Sequence, residues 1–232
     1  MKTAILSKAA AALLSVAALW LSVTTAPPAT AAPSCSVNDS RSVPGGYLVD
    51  LRCGSNTHTA VGTTLNEAYN EAAALGQLAA ATGNACSYTR HNAIPGGYIV
   101  DISCTGGYYH TAAGTTLTDA TTETRALAQL AAGTGKHCAQ SRHNPIPGGY
   151  VLELQCTGGY YYPAAGTTLT DATTESRALA QLAANTGKHC GYTRHNPIPG
   201  GYSAEISCTG GYYHTGVGGT LTEAFRRARS MA

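Results

Sequence analysis

The stretch CSYTRHNAIPGGYIVDISC, residues 86–104, has the pattern of a β-hairpin closed by a Pro-Gly-Gly turn. Tyr98, Val100 and Ile102 occupy alternate positions after the turn, which is the period of a half-buried strand. Proline fixes φ, and the two glycines permit positive φ. Because Pro95 lies midway between the two cysteines, the hairpin brings them opposite each other, about 4.5 to 5.5 Å apart, within reach of a disulfide.

Versions of this stretch occur four times, at a spacing of about 52 residues. Each copy has two cysteines 18 positions apart, and the pairs predict four disulfides within copies: Cys35 with Cys53, Cys86 with Cys104, Cys138 with Cys156, and Cys190 with Cys208. This period divides the chain into repeat 1 (33–85), repeat 2 (86–137), repeat 3 (138–189) and repeat 4 (190–232). Repeat 4 ends after its helix.

Each repeat continues with a third short strand and a helix. In repeat 2 the strand is predicted over 108–112, and Thr116 and Asp119 fit a capping box that begins a helix. Residues at steps of three or four form one apolar face, namely Leu117, Ala120, Thr124, Leu127 and Ala131. The predicted fold class is α+β, with four tandem disulfide-bridged ββ(β)α repeats, each a small antiparallel sheet with one helix packed on it.

The last segment, GVGGTLTEAFRRARSMA (216–232), resembles the final strand and helix of double-stranded-RNA-binding domains. The resemblance covers only the end of a repeat, and it implies the same order of sheet and helix. That family has lysines at the start of this helix, where this chain has Leu221 and Thr222. The resemblance therefore implies a topology and no contact with RNA.

Residues 1–32 have the pattern of a secretory signal peptide, with Lys2 and Lys8 before an apolar run and small residues at the expected cleavage site. Two of the 14 basic residues leave with it, so the remaining basic residues equal the 12 acidic ones. Such a balance does not favour nucleic acid as a partner. We expect a secreted, extracellular protein with no membrane span after cleavage and with its eight cysteines oxidised.

Tyrosine is the most prominent functional signal, since the chain has 14 tyrosines and one phenylalanine. The motif TGGYY recurs in repeats 2, 3 and 4, whereas repeat 1 has GSNTH in its place. Exposed tyrosine offers rigid, amphipathic contact area. We expect the first tyrosine of each pair in the core and the second at the surface, and the candidate binding residues are Tyr108, Tyr109, Tyr160, Tyr161, Tyr162, Tyr212 and Tyr213.

The Arg-His-Asn motif before the turn supplies a second candidate set: Arg90, His91, Arg142, His143, Arg194 and His195. A stiff, disulfide-closed loop that carries these side chains can bind a partner. The alternative is that the motif serves only the geometry of the hairpin.

Metal binding and catalysis are not predicted. His137 and His143 are six residues apart on an extended segment, about 20 Å, which is too far to share a metal. Each repeat carries one acid on its second strand, and nothing distinguishes two of the four as a catalytic pair: Asp50, Asp101, Glu153 and Glu205. We therefore expect neither an enzyme nor a cofactor.

These patterns favour a secreted, non-catalytic protein that binds an envelope polysaccharide or another exported protein multivalently. The first alternative is a multi-headed inhibitor of secreted proteases that presents the Arg-His-Asn segment. The second is a structural cell-surface protein. Repeat 1 has an excess of acid and repeat 4 an excess of base, which permits head-to-tail self-association as a further hypothesis.

Overall fold

The computed structural model describes residues 34–232, and in that range every repeat is a three-stranded antiparallel sheet followed by a helix. The strands are β1 (Cys35–Val43), β2 (Gly46–Cys53), β3 (Asn56–Gly62), β4 (Cys86–Ile94), β5 (Gly97–Cys104), β6 (Tyr108–Gly114), β7 (Cys138–Ile146), β8 (Gly149–Cys156), β9 (Tyr160–Gly166), β10 (Cys190–Ile198), β11 (Gly201–Cys208) and β12 (Tyr212–Gly218). The helices are α1 (Leu65–Thr82), α2 (Leu117–Thr134), α3 (Leu169–Thr186) and α4 (Leu221–Ser230). The predicted fold class is confirmed, and the predicted signal peptide lies outside the described residues.

The four predicted disulfides are confirmed, and in each repeat the two cysteines are register partners. The turn is not centred on the proline, however. Val43 pairs with Gly46, so Pro44 and Gly45 together form a two-residue turn, and Gly45 has the positive φ of +86° that a type II turn requires. Asn38 forms a β-bulge in β1 and has no partner in β2. This extra residue shifts the register of β1 against β2 by one position, so that Cys35 lies opposite Cys53.

The predicted capping boxes are present at the start of α1, α2 and α3. At α4 the N-cap Thr220 still accepts from the Glu223 amide, but the Glu223 carboxylate accepts from the Gly219 amide instead. Gly135 ends α2 in the left-handed conformation, with a φ of +70°. Every predicted helix-face residue from Leu117 to Ala131 is buried.

Neighbouring repeats share their cores. The buried apolar side chains form two clusters, of which one joins repeats 1 and 2 and the other joins repeats 2, 3 and 4. The last strand of each repeat runs beside the first strand of the next, and successive helices lie side by side. At the first junction the Ser87 hydroxyl accepts from the Thr59 amide at 3.4 Å and donates to the Thr57 carbonyl at 3.2 Å. The result is a row of sheets with a row of helices packed on one face.

Glutamate and arginine side chains cross each junction between helices. Glu71 accepts from Arg125 at 2.9 Å, and Glu123 accepts from Arg177 at 3.1 Å. Glu175 is the most buried of the three acids, and it forms ion pairs with both Arg226 and Arg229 of repeat 4. Glu71 of repeat 1 and two arginines of repeat 4 are therefore paired with the neighbouring repeats inside the row, and they contribute to the opposite net charges of repeats 1 and 4.

Candidate functional site

The TGGYY motif forms the turn between the second and third strands of repeats 2, 3 and 4. In repeat 2 the φ angles of Gly106 and Gly107 are +89° and +79°, values that favour glycine. Tyr108 is the register partner of Cys104, so the tyrosines begin beside the disulfide of their own repeat. The backbone and the disulfide together fix the position from which the side chains project.

Both tyrosines of every TGGYY motif are exposed, and the expectation that the first one fills the core is wrong. Their exposed fractions range from 45% at Tyr160 to 68% at Tyr212. In repeats 2 and 3 the first tyrosine stacks on a histidine ring, whereas Tyr212 has no such partner among residues 34–232 and is more exposed than either. We call these six side chains the tyrosine row: Tyr108, Tyr109, Tyr160, Tyr161, Tyr212 and Tyr213.

Histidines at the ends of repeats 2 and 3 support the row. The rings of Tyr108 and His137 are stacked with centroids 3.5 Å apart, and those of Tyr160 and His189 with centroids 3.9 Å apart. Lys136, the neighbour of His137, places its ammonium group 5.5 Å from the centre of the Tyr160 ring. Two consecutive residues, Lys136 and His137, thus lie against the first tyrosines of two neighbouring repeats.

A cavity opens below the tyrosines of repeat 2 and another below those of repeat 4. The first has a volume of about 230 Å³, and its walls include Thr105, Tyr108, His110 and His137. The second has a volume of about 290 Å³, and its walls are Lys188, Cys208, Thr209, Tyr212, His214 and Ala232. Both cavities offer an aromatic face together with hydroxyl, imidazole or ammonium groups.

Repeat 3 differs because Tyr162 stands at the position of His110. Its side chain is fully buried, and its hydroxyl oxygen is hydrogen-bonded to His189 Nδ1 at 2.9 Å. Tyr162 is thus a core residue that fills the space below its neighbours, unlike the six residues of the tyrosine row. The sequence offers one signal for this difference, since Tyr162 alone replaces a histidine that repeats 1, 2 and 4 share.

Burial controls the charge of the histidines beside the first cavity. Burial lowers the pKa of His110, and the hydrogen bond from its Nδ1 to the Cys138 carbonyl opposes that shift only in part. Burial also lowers the pKa of His137. Both imidazoles are therefore neutral at pH 7, and they present ring faces and neutral polar atoms to a ligand.

The Arg-His-Asn histidines of repeats 2 and 4 contact the turn of the preceding repeat. The Tyr88 hydroxyl donates to His91 Nδ1 at 2.7 Å, and His91 Nε2 donates to the Pro44 carbonyl at 2.9 Å. His195 Nε2 donates to the Pro147 carbonyl at 3.1 Å in the same way. His143 is half-buried beside Gln140, and burial lowers its pKa. The contacts of His91 and His195 give these histidines a role in joining repeats.

The arginines of the same motif pair across the hairpin with the repeated acids. Arg90 is bonded to Asp101, Arg142 to Glu153 at 3.2 Å, and Arg194 to Glu205 at 3.0 Å. The pairs lie on the sheet face opposite the helices, and the arginine side chains are 67% to 75% exposed. The structure therefore separates the motif into arginines at the surface and, in repeats 2 and 4, histidines that contact the preceding repeat.

Residues 34–232 contain no group of three or more His, Cys, Asp or Glu side chains arranged to hold a metal ion. In the same range no helix has the length and apolar character that crossing a membrane requires. The four disulfides favour an oxidising compartment. Comparison with known proteins finds no family model and no curated protein that matches this chain.

Proposed function

We propose that this chain is an exported, non-catalytic binding protein whose tyrosine row holds an envelope polysaccharide outside the cell. The observation that carries the proposal is the exposure of six tyrosines at equivalent turns of three successive repeats. Large aromatic side chains are costly to leave in water, and these six contribute little to the core. Their exposure is better explained by a ligand than by folding.

The spacing of the row favours a polymer over a single small ligand. Each of the three repeats offers a pair of rings at the same turn, so a ligand with its own repeating units can engage several pairs together. Sugar rings present flat apolar faces rimmed with hydroxyl groups, which suits tyrosine rings that end in a hydroxyl. The cavities beside Tyr108 and Tyr212 can take up groups that project from such a chain.

The rigidity of the site supports tight binding. Disulfides lie directly beside the turns, and His137 and His189 hold Tyr108 and Tyr160 in one orientation. A ligand therefore has little side-chain disorder to overcome at these positions. Oxidation of all eight cysteines supports the proposed location outside the cell.

Co-sedimentation with insoluble envelope polysaccharide from the producing cells tests the proposal. The Tyr109→Ala, Tyr161→Ala and Tyr213→Ala variants are combined into one triple variant, because these side chains are exposed and their loss leaves the core intact. We expect each single variant to bind more weakly and the triple variant to lose affinity by roughly 100-fold or more. Gln77→Ala combined with Gln129→Ala, on the exposed helix face, is the matched control and binds normally.

Equal binding by the triple variant and the parent protein would refute the proposal. The parent protein could instead fail to bind polysaccharide but bind a protein from the culture medium. If the triple variant does not bind that protein, the tyrosine row is a binding site for an exported protein.

A further inference from the structure

At each internal junction two different faces of neighbouring repeats meet. We call the face that a repeat turns to the preceding repeat, which includes the first residue of its helix, the leading face. The face that it turns to the following repeat, which includes the second-last residue of its third strand, is the trailing face. Leu117, Leu169 and Leu221 begin their helices on leading faces, and all three are completely buried. Leu65 holds the same position in repeat 1, and it is 47% exposed. The preceding repeat is therefore what covers this face in repeats 2, 3 and 4.

The leading face of repeat 1 is open and apolar in the described structure. It contains a cavity of about 370 Å³ with Val37, Val49, Leu65 and Tyr69 in its walls. Val37 is 53% exposed and Tyr69 is 37% exposed. The counterparts of Tyr69 in the other repeats are all fully buried: Thr121, Thr173 and Phe225.

The trailing face of repeat 4 is open in the same sense. Val217 is 49% exposed, whereas its counterparts Val61, Ala113 and Ala165 are fully buried. The turn glycine also differs, since Gly148 is covered by the Tyr202 ring. A Cβ added at Gly200 would meet no atom of residues 34–232 within 4 Å.

The two open faces retain the apolar contacts of an internal junction. Tyr47 holds the position of Tyr98, Tyr150 and Tyr202, which cover the preceding turn, and it is 39% exposed. A trailing Gly200 can receive Tyr47 as Gly148 receives Tyr202. Val217 would meet Tyr69, as their counterparts Ala113 and Thr173 meet at the second junction, where the Thr173 hydroxyl donates to the Ala113 carbonyl at 2.8 Å.

The two open faces lack the polar residues that pair at the internal junctions, and the residue that replaces each one suits its replaced partner on the other face. At the first junction Glu71 accepts from Thr122 at 2.7 Å as well as from Arg125. Repeat 4 has Arg227 at the position of the glutamate. Repeat 1 has Ala73 at the position of Arg125 and Asn70 at the position of Thr122. Arg227 of one copy would therefore meet the Asn70 side-chain amide, whose oxygen can accept a hydrogen bond, and it would not meet a second guanidinium group.

The threonine contact between repeats changes in the same manner. The Thr63 amide donates to the Thr118 hydroxyl at 2.8 Å, and the same contact joins Thr115 with Thr170. Repeat 4 has Gly219 at the position of Thr63, and repeat 1 has Asn66 at the position of Thr118. A larger side chain on one face is thus offset by a smaller one on the other.

We propose that the leading face of repeat 1 binds the trailing face of repeat 4 of a second copy, so that the protein associates head to tail. The proposal rests on shape and apolar complementarity, because Glu71 of repeat 1 and Arg226 and Arg229 of repeat 4 already form ion pairs with the neighbouring repeats of their own chain. Such a contact joins different surfaces of two copies, so it extends into open chains unless the rotation between copies closes a ring.

Sedimentation of the exported protein, with its N-terminus read by mass spectrometry, tests the proposal. The mean mass is expected to rise with concentration over a roughly hundredfold range. Leu65→Glu or Val217→Glu should each restore the monomer, since each places a charge on one exposed apolar face. Gln129→Glu, an exposed position in the middle of the row, adds the same charge and leaves association unchanged.

A mixture of the two interface variants separates this proposal from other contacts. The Leu65→Glu copy keeps an intact trailing face and the Val217→Glu copy an intact leading face, so the mixture should form dimers and nothing larger. Association that survives Val217→Glu would show that repeat 1 faces pair with each other instead. A parent protein that stays monomeric at every concentration would overturn the proposal, whether or not it binds polysaccharide.

Discussion

Tyr98 covers Gly45 across the junction between repeats 1 and 2, so closely that a Cβ on the glycine would lie 2.5 Å from the tyrosine hydroxyl oxygen. Tyr150 covers Gly96 and Tyr202 covers Gly148 in the same way. The Pro-Gly-Gly-Tyr motif therefore has two roles. Its glycine permits the turn of one hairpin and leaves room for the next repeat, while its tyrosine contacts the turn before it.

Alanine substitution at two equivalent turn glycines should separate these roles. Gly148→Ala and Gly200→Ala both place a side chain at positive φ, +84° and +81°, which costs about 1 to 2 kcal/mol. Only Gly148→Ala also collides with a neighbouring tyrosine, and overpacking adds about 1 to 3 kcal/mol. Denaturant unfolding in dilute solution should find Gly148→Ala the less stable variant. Equal losses would mean that the tyrosine contact does not constrain the turn.

Two glutamates that both pair with arginine should differ in their effect on stability. The Glu175 side chain is 1% exposed and accepts from two arginines, so Glu175→Gln leaves two guanidinium groups without a counter-charge at a junction. We expect a loss of about 2 to 3 kcal/mol in the free energy of unfolding. Glu153→Gln breaks a pair whose arginine is 67% exposed, and it should cost at most about 1 kcal/mol. Similar losses for the two variants would contradict this account.

Mild acid should destabilise the folded protein. Burial lowers the pKa of His110, His137, His143 and His189 below the ordinary value of 6.5. Between those lowered values and about 6.5 the unfolded chain binds more protons than the folded one, so the free energy of unfolding falls as the pH drops through this window. Hydrogen bonds from Thr64 and Thr118 lower the pKa of Glu67, and this shift reduces the free energy of unfolding only below about pH 4.5. Its effect is therefore separable from that of the histidines.

Urea midpoints measured between about pH 7 and pH 5 would check this dependence. His110→Tyr removes one of the titrating groups and should flatten the slope. A stability that is constant over this range, or that rises towards pH 5, is the contrary result.

Exchanging Tyr162 and His110 in separate variants tests the difference between repeats 2 and 3. Tyr162→His replaces a fully buried phenol ring by a smaller imidazole and should cost about 2 kcal/mol. His110→Tyr fills the cavity of about 230 Å³ and can bond to His137 Nδ1, which has no hydrogen-bond partner within the described residues. We expect this variant to be at least as stable as the parent by thermal unfolding. A loss of thermal stability in both variants would show that the packing of each repeat depends on the residue it has at this position.

Incubation with trypsin-like and subtilisin-like proteases tests the inhibitor alternative. The Arg-His-Asn segments are strands paired along β5, β8 and β11, and their arginines are ion-paired. A protease can cleave such a segment only after the strand separates, so we expect slow digestion without inhibition. Stoichiometric inhibition that is lost in Arg142→Ala would favour the alternative.

The sequence by itself determined the repeats, the disulfides and the order of strands and helix. These features depend on interactions within a repeat, and short-range signals report them: alternation in the strands, capping residues at the helices, and two cysteines equally spaced about Pro44. The disulfide prediction is correct although the turn is centred beyond that proline, because the bulge at Asn38 compensates.

The tertiary structure alone decided what lies between repeats. Tyr98 of repeat 2 covers Gly45 of repeat 1, and no pattern within one repeat indicates that contact. The ion pair of Glu71 with Arg125 likewise joins repeats 1 and 2. A repeated sequence shows that its units are alike, but their packing depends on contacts about one period apart, which only the folded chain brings together.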